Sequence, residues 1–230
     1  MALATTLDDL VLRARRERSL HLAGAVLRIF VGFSLFPAGL KKVLAEPFTD
    51  PHLHGPFHDF LHAFHATGAF YQLVGAVQLV AATLLVTQRF ATLGALLAAP
   101  IFTTISALCW STKVYPTASV VTLIGLGTLA LLVWDRPAWR PVLAPRRAHE
   151  APEPEPSIDR RLWQRSGVVI LALYLAVCAA TGGVYRPRGA AWDTPAFYVF
   201  PTMLLVVVAT LFVDRARHAG AAARAPGSSG

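Results

Sequence analysis

The sequence predicts an all-α transmembrane protein with six spans. Six apolar runs each approach the about 20 residues that a helix needs to cross a bilayer at a rise of about 1.5 Å per residue. The cations between those runs sort by side. Composition agrees, since 55% of the 230 residues are apolar, 15% are charged and the mean hydropathy is +0.52. That balance leaves no stretch for a soluble catalytic domain.

The spans are expected at residues 21–44, 69–88, 90–110, 117–134, 166–185 and 195–213, the second and third forming a hairpin about Arg89. Of the 21 Lys and Arg residues, Arg28 lies in a span, five (Lys41, Lys42, Lys113, Arg186, Arg188) fall on one side, and the remaining fifteen fall on the other. The positive-inside rule then places both termini in the cytoplasm. Trp110, Tyr115, Trp134, Trp163, Tyr185 and Trp192 stand near span ends, where interfacial anchors belong.

The basic leader, residues 1–19, is expected to remain as an anchor, because the first apolar run contains Arg28 and lacks a small-residue cleavage site. Residues 7–12, with Asp8 and Asp9 at their start, fit a short amphipathic helix on the inner surface or solvated disorder. The bundle unit is residues 20–136. Residues 137–165 carry Pro137, Pro141, Pro145, Pro152, Pro154 and Pro156 with Glu150, Glu153 and Glu155, a composition too polar to fold and read as a cytoplasmic linker. A helix pair over 166–214 follows, and then a tail, 215–230, of disordered composition.

A net charge of +8 with a pI near 10.2 raises the question of nucleic acid, but the cations cluster at the ends of apolar runs. Anionic headgroups and membrane orientation account for them, so lipid and not nucleic acid is the implied partner. Cys109 and Cys178 show no CxxC spacing and read as free thiols in apolar surroundings. Nucleophile, Walker and dinucleotide motifs are missing from the sequence, which argues against a conventional hydrolase, kinase or dehydrogenase.

A charged group within a span costs about 2.5 to 3.5 kcal/mol on insertion scales, so Arg28 is a candidate functional residue. The bland alternative is an arginine that snorkels to the headgroups. Arg28, Gly32, Leu35, Gly39 and Lys42 form one helical stripe whose glycines invite close helix contact. Tyr71, Gly75, Gln78 and Ala82 form a comparable face on the second span. Counted from the inner ends, Arg28 and Gln78 lie at similar depth, which predicts that the Gln78 carbonyl accepts a hydrogen bond from Arg28. Helix packing is the commoner use of such a pair, ligand binding the rarer. Pro100 and Pro201 interrupt the third and sixth spans, and Thr103, Thr104 and Ser106 stand ready to support a kink or line a cavity.

Five of the eight histidines, His52, His54, His58, His62 and His65, fall between the first two spans. His58, His62 and His65 share helical spacing and are the best candidates for a transition-metal or haem site. Phe57, Leu61 and Phe64 make an adjoining apolar stripe, so an interfacial amphipathic helix is the competing reading, with pH sensing as a third.

Three segments together resemble a known family. They are LRIFVGFSLFPAGLKKVL, with Arg28, Gly32 and the Gly39-x-x-Lys42 element; GAVQLVAATLLVTQRFATLGALL, with Gln78 and Arg89; and TLIGLGTLALLVWD. Over residues 20–136 the chain is similar to the DoxX and DoxX-like family of small bacterial membrane proteins. Many members carry a glutamate where Gln78 stands, and an amide does not titrate, which counts against proton handling there. The resemblance implies a DoxX-like four-helix bundle in a bacterial inner membrane, to which the last two spans would be added. It also implies an accessory subunit of a quinone-linked redox system that contacts quinone or a partner membrane oxidoreductase. A second copy of the chain is a further candidate partner. It carries no catalytic residues over. The alternatives from other classes are a small-molecule transporter or exporter, and a structural or assembly factor.

Overall fold

The computed structural model describes residues 10–143, 158–184 and 195–224, and among them there is no strand. After a helical turn at residues 10–14 come α1 (Arg18–Val43), α2 (Pro56–Ala66), α3 (Ala69–Val86), α4 (Ala91–Ser111) and α5 (Tyr115–Trp134). Then follow α6 (Arg136–Leu143), α7 (Arg160–Thr181), a 3-10 turn (Pro195–Tyr198) and α8 (Val199–Arg224). Six of these helices, α1, α3, α4, α5, α7 and α8, are long and apolar enough to cross a membrane. This is a multi-pass membrane protein.

α1 packs most closely on α3, α3 on α4, α4 on α5, and α5 returns to α1, so four spans close into a ring. The glycine stripes set the α1–α3 register. A Cβ on Gly32 would meet Val86 Cγ2 at 2.7 Å, and one on Gly75 would meet Lys42 Cβ at 2.5 Å. Only glycine admits backbones this close, and the approach brings van der Waals packing, the main attraction between helices in lipid. Gly94 brings α4 against α3 in the same way, since a Cβ there would come within 3.0 Å of the Ala81 carbonyl oxygen.

The α3–α4 reversal occupies residues 87–90 and places Gln88 (φ 57°) and Phe90 (φ 55°) in the left-handed region. The Gln88 side chain steadies it by donating from Nε2 to the Ala25 carbonyl at 2.8 Å. α7 lies on α3 and α1. A Cβ on Gly167 would come within 1.8 Å of the Val86 carbonyl oxygen. Higher up, Tyr174 sits edge-on to Phe33 and Phe36, each with ring centres 5.6 Å apart. α8 packs on α7, and Met203 and Val207 join the common core.

Several boundaries differ from the sequence expectation. The 137–165 segment is helical at both described ends, as α6 and as the first turn of α7; residues 144–157 lie outside the described residues. Pro137 stands in the first turn of α6, where no backbone N–H is required, and Trp139 Nε1 donates to the Leu132 carbonyl at 2.8 Å. α7 begins at Arg160 because Asp159 caps it, accepting from the Leu162 N–H at 3.1 Å. α8 runs on to Arg224 through residues expected to be disordered, an alanine-rich run of high helix propensity. Residues 225–230 of that tail, Tyr185, Trp192, Asp8 and Asp9 lie outside the described residues. Trp163 is fully buried in the core rather than anchored at the interface.

Candidate functional site

The Arg28 side chain is held within the bundle by an ion pair. Its Nη2 donates to Asp135 Oδ1 at 2.6 Å, with side-chain exposures of 16% and 6%. The other carboxylate oxygen, Oδ2, accepts from Thr92 Oγ1 at 3.1 Å. Asp135 is the residue that closes α5, its N–H bonded to the Leu131 carbonyl at 2.8 Å. One carboxylate thus ties α1, α4 and α5 together. Burying either ion alone would cost several kcal/mol, so the pair exists because each half needs the other.

Gln78 does not meet Arg28, which corrects the expected hydrogen bond. A Cβ on Gly39 would meet Gln78 Cβ at 3.0 Å, whereas Ala25 is level with Gln88 through the side-chain bond to its carbonyl. Arg28 therefore lies opposite the α3–α4 turn, about ten residues or about 15 Å of helical rise from Gln78. Counting depth from the ends misses this, because α1 starts earlier than the hydropathy suggests and its glycines, not its ends, fix the register. Among the described residues, the buried Gln78 Oε1 has no hydrogen-bond partner. Gly32, Gly39, Gly75 and Ala82 do come together as the two sequence faces imply.

A second ionic network was not anticipated. Arg18 Nη2 donates to Asp214 Oδ2 at 2.7 Å and to the Asp214 carbonyl at 2.9 Å. Asp214 is fully buried, and its Oδ1 accepts from the Asp159 N–H at 2.9 Å. Arg217 Nη1 in turn reaches Asp159 Oδ2 at 2.7 Å. The Leu162 N–H, and then Arg217, hold the Asp159 carboxyl below its ordinary value against partial burial. α1 is thereby clamped to the α7–α8 pair at the same end as Arg28. Asp135 and Asp214 each directly follow an apolar span, and a buried arginine calls for such a counter-ion; that was the available signal.

At the opposite end, Lys42 is buried beneath Phe48, its Nζ 4.5 Å from that ring centre, and donates to the Ala38 carbonyl at 3.3 Å. Tyr71 joins the same cap, its hydroxyl donating to the Glu46 carbonyl at 2.8 Å. Of the loop histidines, His58, His62 and His65 line one side of α2, and each holds a different point of the loop before it. His58 Nδ1 bonds Thr49 Oγ1 at 2.5 Å, His62 Nε2 bonds the Leu53 carbonyl at 3.1 Å, and His65 Nε2 bonds the Ala45 carbonyl at 3.0 Å. They do not converge, and among the described residues no three His, Cys, Asp or Glu side chains are placed to share an ion. The aromatic stripe of α2 packs inward through Phe64, which meets Tyr71 edge-on with ring centres 5.0 Å apart.

Thr103 and Thr104 turn back onto their own helix, donating to the Ala99 and Pro100 carbonyls at 2.9 and 2.8 Å. Cys109 is fully buried and Cys178 half-buried. Comparison with protein families, curated proteins and solved structures gives no match to this chain.

Proposed function

We propose that this chain is a non-catalytic, DoxX-like accessory subunit of a bacterial inner membrane, acting by association with a quinone-linked membrane oxidoreductase. One observation carries the non-catalytic part: both arginines of α1 are held by aspartates of the same chain, Arg28 by Asp135 and Arg18 by Asp214. Groups committed to helix packing are not poised for substrate. The redox association rests on the resemblance of the segments around Arg28, Gly39 and Gln78. The ion pairs favour a second reading equally, that of a structural or assembly factor. Crosslinking followed by purification from native membranes distinguishes them. The accessory reading expects a stoichiometric oxidoreductase that reduces or oxidises quinone. Isolation of the chain alone, from membranes whose quinone-linked activity survives its deletion, overturns that reading.

A further inference from the structure

A shallow apolar groove opens between α1, α7 and α8, lined by residues that include Ile29, Phe33, Ile170, Phe200, Leu204 and Val207. Its lining offers nothing to hydrogen-bond a headgroup or a quinone carbonyl, so what it accepts is a hydrocarbon tail. The charge lies elsewhere on the same faces. Arg18 is eleven residues from Ile29 on α1, and Arg215 is eleven residues from Leu204 on α8. Eleven residues make about three turns, so each arginine stands directly below a groove residue, about 16 Å along the helix. A tail running from the groove toward that end of the bundle therefore brings its headgroup to these two guanidiniums.

Among the described residues the local balance is positive. Asp159 and Asp214 engage Arg217 and Arg18, while Arg215 is exposed alongside. Arg18 keeps 28% of its side chain exposed despite its ion pair. We infer that the α1–α7–α8 groove seats one anionic phospholipid from the leaflet on the Arg18 side, its tail against Ile29 and Leu204 and its phosphate between Arg18 and Arg215. Both anionic and zwitterionic phospholipids offer a phosphate for charge-assisted hydrogen bonds to guanidinium, but the choline cation of a zwitterionic headgroup offsets that charge and is repelled by the arginines, so an anionic headgroup is favoured. The lipid would brace the α7–α8 pair against α1 from outside, beside the internal clamp.

The test uses the full chain, purified in detergent, with retained lipid counted by native mass spectrometry after incubation with phosphatidylglycerol, phosphatidylcholine or ubiquinone. One phosphatidylglycerol per chain is expected, in about fivefold preference to phosphatidylcholine, the weight of one arginine near a surface. R215Q removes the preference without lowering phosphatidylcholine retention. L204W fills the groove and lowers retention of both lipids. L205W, on an exposed position of α8 outside the groove, retains phosphatidylglycerol as the wild type does. Melting in lipid-free detergent verifies that each variant is folded. Equal retention of the two lipids, an unchanged preference in R215Q, or equal loss in L204W and L205W overturns the site. Retention of ubiquinone in place of phosphatidylglycerol overturns the assignment to a phospholipid.

Discussion

Asp135 shows how one residue decides whether a buried arginine is tolerable. Removing one partner of a buried pair strands the other, at a cost of about 3–5 kcal/mol, whereas removing both leaves an apolar contact that is often neutral. Asp135→Ala is therefore expected to lower the melting temperature in detergent strongly, and the double variant Arg28→Leu/Asp135→Leu to recover most of the loss. If the double variant melts no higher than Asp135→Ala, the pair is not what holds these helices. Gln78 predicts the reverse. Among the described residues its buried Oε1 has no partner, a state costing about 1–3 kcal/mol, and leucine fills a similar volume without a polar atom. Gln78→Leu should melt at the wild-type temperature or above; a clear drop would show that the carbonyl is bonded.

At the scale of elements, the docking of α7 depends on a contact no side chain can share. A Cβ on Gly167 would fall 1.8 Å from the Val86 carbonyl, backbone that has no rotamer to give. Gly167→Ala should destabilise the protein although alanine favours helix by about 1 kcal/mol. Gly183→Ala, where a Cβ meets nothing within 4 Å, is the control and should be silent in the same melting experiment. The cap of α7 adds a pH dependence. The folded-state pKa of Asp159 lies below its ordinary 3.8, so its contribution is complete above about pH 4 and is lost as pH falls through the lower folded value. Wild type should melt higher than Asp159→Asn at neutral pH, and the gap should close in acid below pH 4.

For the whole molecule, both ionic clamps and the α3–α4 turn lie at one end of the bundle, and α2 with its histidines lies at the other. In a background of Cys109→Ala and Cys178→Ala, cysteines introduced at Arg89 and His52 should therefore label from opposite faces of the membrane. The distribution of cations expects Arg89→Cys on the cytoplasmic face. Labelling of both from the same side would be incompatible with the bundle. The ends also differ in construction. One is fastened by buried ion pairs, the other by aromatic packing and histidine-to-loop hydrogen bonds.

Hydropathy by itself determined the six spans, since length and apolarity are local properties and a bilayer tests little else. The glycine faces of α1 and α3 were legible as well, because Gly32, Gly39 and Gly75 recur at helical spacing and small residues have one common use in lipid. The helical ends of the 137–165 segment were not, because composition hides a cap such as Asp159 and a tolerated proline such as Pro137. Only the tertiary structure decided the partner of Arg28. Register between antiparallel helices is set by the closest backbone approach, here Gly32 on Val86 and Gly75 on Lys42, and that approach put Asp135 rather than Gln78 within reach. The joining of α7 and α8 to the bundle was likewise beyond the sequence, since Arg18 and Asp214 lie 196 residues apart and pairwise proximity at that separation is a product of the fold.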